Sequence, residues 1–128
     1  MSQPFLDTLR RIDLVMLGAT NLEAAVTFYR DTLGMAVKFR SPGFVFLDAG
    51  GITLCLSEPL ARASATIAGA TELVIRVADV RAAYQELLGR GVPFVNEPRP
   101  VTPTEWAVNF LDPSGHRLSL FGPEKAES

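Results

Sequence analysis

The chain repeats itself. Laid on itself, LVMLGATNLEAA (14–25) falls on ELVIRVADVRAA (72–83), each an apolar run leading through Asn21 or Asp79 into a helix start. FLDAGGITLCLSEP (46–59) falls on FLDPSGHRLSLFGP (110–123), sharing Phe-Leu-Asp, the second turn glycine, both strand leucines and the closing proline. A repeat of this length constrains architecture before any local assignment, because each copy must form the same supersecondary unit and bury its apolar face against the other. One domain over 1–128 is expected, with a first module at about 12–59, a linker at about 60–70 and a second module at about 71–123.

Each module opens on a short apolar run, 13–19 or 73–78, of strand rather than helix length. Leu22, Val26, Tyr29 and Leu33, then Val80, Ala83, Tyr84 and Leu87, recur three or four apart, the spacing of an amphipathic helix. Asn21 and Asp79 are placed to cap the free N–H groups of the first turns, and Gly34 and Gly91 to end the helices. Strands are expected at 36–40, 44–47 and 52–56, and again at 93–96, 107–111 and 117–121, with 48–51 and 112–115 as hairpin turns. Each module thus reads as βαβββ, an α+β fold. Pro98, Pro100 and Pro103 exclude a central strand from 96–105 and predict a stiff loop bordering a pocket, while the small residues of 61–70 predict a plain connector.

At 128 residues the chain is long enough for one core without disulfides, and the single Cys55 cannot form an internal one, which favours a reducing, cytoplasmic setting. No apolar run approaches the roughly 18 residues of a membrane span, and 1–11 does not read as a signal peptide. A net charge of −2 with scattered basic residues gives no footprint for a nucleic acid. The polar tail 124–128 is expected to fray.

Strand alternation sorts the candidate site. Leu14, Met16 and Gly18 share one face of the first strand, and Glu72, Val74 and Arg76 share the matching face of the fifth; Val15, Leu17, Leu73 and Ile75 turn toward the helices. Thr53, Cys55 and Ser57, and Arg117, Ser119 and Phe121, oppose the strand leucines and join that first face, a concave surface shared by the modules. Glu72 either pairs with a ligand cation or sits at a solvated rim, and Arg76 either grasps a ligand anion or faces solvent. Cys55 reads as a small buried hydrophobe rather than a nucleophile, because no base or cation adjoins it in sequence. His116, in phase with Leu118, is expected away from the concave face, so no Ser-His-Asp or Cys-His pair is evident. Trp106, after the proline loop, reads as a ring at the pocket edge with core packing as the rival; Phe28, Tyr29, Phe44, Phe46 and Phe110 read as core.

NLEAAVTFYRDTLGM in the first module and FLDPSGHRLSLF in the second resemble the signatures of the vicinal oxygen chelate superfamily, which includes glyoxalase I, extradiol dioxygenases, and fosfomycin and bleomycin resistance proteins. The resemblance implies the fold over nearly the whole chain. It also implies metal-ligand positions at Leu14, Cys55, Glu72 and Ser119, where metal-using members carry His or Glu; here only Glu72 matches, and a Lewis-acid metal needs about three suitable donors. Neither a metal nor another cofactor is therefore expected. The expected function is a glyoxalase/bleomycin resistance-like protein that binds a small, partly aromatic molecule with Leu14, Met16, Cys55, Glu72, Arg76, Trp106 and Ser119. The alternatives are an enzyme (lyase, isomerase or dioxygenase) using an unorthodox metal or Glu72 as general base, and a degenerate module for protein contacts. Open sheet edges, and the habit of the family it resembles, predict a homodimer.

Overall fold

The computed structural model describes residues 13–63 and 71–125. The chain order is β1 (Leu14–Gly18), α1 (Leu22–Val26), which continues as a wider turn over Thr27–Thr32, β2 (Ala36–Ser41), β3 (Phe44–Asp48), β4 (Thr53–Ser57) and α2 (Glu58–Ala63). β5 (Glu72–Arg76), α3 (Val80–Gly89), β6 (Arg99–Pro100), β7 (Trp106–Leu111) and β8 (Arg117–Gly122) follow. The strands form two four-stranded mixed sheets, β1-β4-β3-β2 and β5-β8-β7-β6, with β1 parallel to β4 and β5 parallel to β8. The α+β architecture is the tandem βαβββ expected from the repeat.

Local chemistry starts and stops the helices as anticipated. The side-chain oxygen of Asn21 accepts from the Ala24 N–H at 3.0 Å, and that of Asp79 from Ala82 at 3.3 Å. Past Val26 the first helix widens, and the Leu33 N–H reaches back five residues to the Phe28 carbonyl.

One core joins the modules. Leu17, Val45, Leu47, Leu54 and Leu56 from the first sheet and Val108, Phe110, Leu118 and Leu120 from the second pack in a single cluster with Val26, Phe28 and Tyr29. Phe28 and Phe110 bring their rings to 6.3 Å across the module boundary. Buried Tyr29 donates from its hydroxyl to Asp112 Oδ2 at 2.8 Å, while Asp112 Oδ1 accepts from the N–H groups of Ser114 and His116. Burial, reinforced by that neighbouring carboxylate, pushes the Tyr29 phenol above the usual tyrosine range and keeps it a donor. The two sequence signatures are therefore in contact with each other. His116 Nε2 lies 2.8 Å from the Gly18 carbonyl, which can only accept, so this nitrogen carries the proton.

Two expected elements differ. The strand expected at 93–96 reduces to a single bridge between Phe94 and Phe110, and pairing instead occurs inside the proline-rich stretch, where Arg99–Pro100 forms the outer strand against Trp106 and Ala107. An edge position tolerates Pro100 because its missing N–H faces away from the ladder. The expected connector begins as helix, since α2 extends to Ala63; residues 64–70 lie outside the described part, as do 1–12 and 126–128.

Candidate functional site

The face of each sheet that turns away from the core carries the candidate site. In the first sheet Cys55 is paired with Met16 on one side and Phe46 on the other, and Phe46 with Phe39 beyond it. Residues opposite one another in a ladder share a face, so Met16, Cys55, Phe46 and Phe39 form one row and Ser57 and Phe44 a second. Phe39 and Phe46 have ring centroids 5.8 Å apart, and Phe44 and Phe46 are stacked at 6.4 Å. A bulge that leaves Lys38 unpaired brings Phe39 into phase with Phe46. Phe39 is 60% exposed and Met16 41%. Burying a side chain of this size is worth roughly 1.5–3 kcal/mol, so leaving two of them in water sets this surface apart from the core.

The matching face of the second sheet is polar. Val74 replaces Met16, Ser119 replaces Cys55, and Asn109 stands where Phe46 stands. Asn109 is buried and saturated: Nδ2 donates to Glu72 Oε1 at 2.8 Å and to the Leu118 carbonyl at 3.3 Å, Oδ1 accepts from Asn96 Nδ2, and its backbone N–H donates to Asn96 Oδ1. Arg117 Nε also donates to Glu72 Oε1 at 2.8 Å. Glu72 thus has partners within its own module, which neither reading from the sequence foresaw. Arg76 pairs with Glu105 at 3.2 Å and lies 5.0 Å above the Phe121 ring.

Of the residues singled out from the sequence, Leu14, Met16, Cys55, Glu72, Arg76 and Ser119 lie on these two faces. Trp106 does not: it is in phase with Val108 and Phe110 and packs against the core. Phe39, Phe44, Phe46, Asn109 and Arg117 belong to the site surfaces as well. The assignment of Phe44 and Phe46 to the core is corrected by the register, and the cause is one residue. The first hairpin closes at the Asp48–Thr53 pair, leaving four residues in its turn; the second closes at Leu111–Arg117, leaving five. The ungapped repeat lays Phe46 on Phe110, but the extra turn residue flips β7, so Phe110 points inward and Asn109 takes the place of Phe46.

The four positions implied as metal ligands do not suit a metal. Leu14 has no donor atom, Ser119 offers a buried neutral hydroxyl, and Glu72 is held by Arg117 and Asn109. Burial pushes the Cys55 thiol up, away from the thiolate a metal would require. Among the described residues no three His, Cys, Asp or Glu side chains are grouped to hold an ion. A largely apolar cavity of about 500 Å³ lies between the modules, lined by Val15, Leu54, Leu73, Ile75 and Leu118, with Val74 and Arg76 also on its wall.

The family model for the Glyoxalase/Bleomycin resistance protein/Dioxygenase superfamily matches residues 11–120. An uncharacterized protein of Mycolicibacterium smegmatis is 33% identical over 115 residues, covering 89% of this chain and 95% of its own. Among solved structures, TnmS3, an antibiotic binding protein from Streptomyces sp. CB03234, is 26% identical with a TM-score of 0.72, covering 91% of this chain and 98% of its own. A lactoylglutathione lyase from Agrobacterium tumefaciens superposes with a TM-score of 0.73 at 22% identity, covering 87% of this chain and 92% of its own, which is a likeness of fold.

Proposed function

The chain belongs to the Glyoxalase/Bleomycin resistance protein/Dioxygenase superfamily, and from that premise we propose that it binds a small, planar aromatic molecule on the open face of its first sheet without the help of a metal. The observation that carries this reading is the row Met16, Cys55, Phe46 and Phe39, with Phe44 stacked beside it, held on the face opposite the core. Stacked rings and a flexible thioether make an apolar wall for a flat ligand, and placing a ligand there removes surface that folding leaves wet. The family likeness to an antibiotic binding protein agrees with capture rather than turnover. Glu72 as general base is the weaker alternative, since one of its two oxygens is engaged by two donors that tie the carboxylate into its own module.

The same reading includes a homodimer. Among the described residues β1 pairs only with β4 and β5 only with β8, so each sheet as described ends in an open edge beside its ligand-facing surface. A second copy laid along these edges would bring an aromatic face beside a polar one. We place the protein in the cytoplasm, in keeping with its single buried, unpaired thiol; no described helix is long and apolar enough to cross a membrane.

The test is a fluorescence titration with N-phenyl-1-naphthylamine before and after treatment with a chelator. Saturable binding that chelation leaves unchanged within two-fold is expected. Binding that appears only after adding Zn²⁺, Ni²⁺, Mn²⁺ or Fe²⁺ would refute the metal-free reading. Light scattering at micromolar concentration should give twice the monomer mass.

A further inference from the structure

The open face of the second sheet has more cationic donors than its carboxylates can occupy. Arg76 is opposite Phe121, Phe121 opposite Ala107, and Ala107 opposite Arg99, so the two arginines stand at the ends of one cross-strand row. Arg117 lies on the same face of β8, four residues before Phe121. The carboxylates nearby are already engaged: Glu72 Oε1 accepts from Arg117 and Asn109, and Glu105 accepts from Arg76 at one oxygen and from Thr102 at the other.

A guanidinium carries five N–H donors. Arg76 uses one on Glu105, Arg117 one on Glu72, and Arg99 one on the Ala107 carbonyl. Arg76 is the most open of these pairings, its side chain 65% exposed, and the Phe121 ring beneath the guanidinium fixes its height above the sheet. Between the arginines the floor is low, formed by the Phe121 ring and the methyl of Ala107. Three strand spacings separate the ends of the row, about 14 Å, which is room for the acidic end of a ligand. The whole chain carries a net charge of −2, so general attraction does not draw anions to it and any anion preference must be local.

We infer that the ligand is an aromatic acid, whose carboxylate, sulfonate or phosphate oxyanion is received by Arg76, with Arg99 as the far wall of the same row. The inference rests on the small-molecule reading and the dimer above, in which the aromatic face of one copy holds the rings and this row of the other copy receives the acid, and adds the charge of the ligand to them. A planar guanidinium meets an oxyanion with two parallel N–H donors, and Arg76 need only leave Glu105 to do so.

Two fluorescent probes that share one ring system test this: 1-anilinonaphthalene-8-sulfonate carries the acid, and N-phenyl-1-naphthylamine lacks it. The wild-type protein should bind the sulfonate at least ten-fold more tightly than the neutral probe. Arg76→Gln should weaken the sulfonate about ten-fold and the neutral probe less than two-fold, and Arg99→Gln should weaken the sulfonate a few-fold. Glu105→Gln, which releases Arg76, should tighten it two- to three-fold. Arg76 is exposed, so its variant should keep the wild-type melting temperature. Equal affinity for the two probes, or equal loss of both in Arg76→Gln, would overturn the inference while leaving the small-molecule reading intact. Saturable binding of neither probe would overturn both.

Discussion

Cys55 and Ser119 hold the same place in their sheets, yet the first sits between Met16 and Phe46 and the second between Val74 and Asn109. Around the thiol the face is apolar and partly wet; around the alcohol it is a closed net of amides, a carboxylate and a guanidinium. The strand order and the core-facing leucines are the same in both copies. The difference comes from one residue of turn length, which decides which side of β7 is seen from outside, and from which side chains then occupy that side. A duplicated fold can in this way keep one core and present two unlike surfaces.

Changing the turn is the most drastic way to break the comparison. Deleting Ser114 from a hairpin that holds to its five-residue turn moves the closing pair from Leu111–Arg117 to Phe110–Arg117 and drives β7 one residue out of phase, turning Val108 and Phe110 outward and breaking the Asp112 contacts. Exposing or truncating a large core residue costs about 3–5 kcal/mol, and two are affected, so the cooperative unfolding transition should disappear from calorimetry. A melting curve like that of the wild type would mean that turn length does not set the face.

Asn109→Leu tests the polar copy. It makes this position as apolar as its counterpart Phe46 but removes donors from Glu72 and Leu118 and the acceptor of Asn96 Nδ2, while the backbone N–H that donates to Asn96 Oδ1 stays. The expected loss is about 2–3 kcal/mol, seen as a fall of roughly 6–12 °C in melting temperature. An unchanged melting temperature would mean that water replaces the amide at no cost.

Tyr29→Phe, at the seam between the copies, should cost about 1–2 kcal/mol by removing the hydrogen bond to Asp112. It should also alter the alkaline limb. The folded phenol titrates above the unfolded one, whose ordinary value is about 10, so its contribution is complete below that pH and fades as pH rises beyond it. The wild type should therefore lose stability above about pH 10 more steeply than Tyr29→Phe. Parallel pH profiles would count against the buried pairing.

The mildest effect on stability is expected at the aromatic copy. Phe46→Leu should change folding by less than about 1 kcal/mol, because the ring lies on the open face, but weaken N-phenyl-1-naphthylamine about ten-fold. A large stability loss with unchanged affinity would make Phe46 a packing residue after all.

Much of this was legible in the chain itself. The repeat predicted the modules, Asn21 and Asp79 the helix starts, and strand alternation the faces of Met16, Cys55, Glu72 and Ser119. The phenylalanines of β3 were misread because side-chain period in a strand is two: the match of Phe46 with Phe110 crosses an unequal turn, and one residue reverses in from out. Counting the residues between Asp48 and Thr53 and between Leu111 and Arg117 would have exposed the slip only once those closing pairs were known. Trp106 was ambiguous for a related reason, since its phase depends on that of Phe110. The partners of Glu72 were hidden because Glu72, Asn109 and Arg117 stand on three different strands, β5, β7 and β8.

The most direct test is a two-dimensional amide NMR titration of isotope-labelled protein with N-phenyl-1-naphthylamine. Shifts centred on Met16, Phe39, Phe46 and Cys55, with the chelator present throughout, are the predicted result. Shifts confined to Val15, Leu54, Leu73 and Ile75 would put the ligand in the cavity between the modules and contradict the aromatic face as the binding surface.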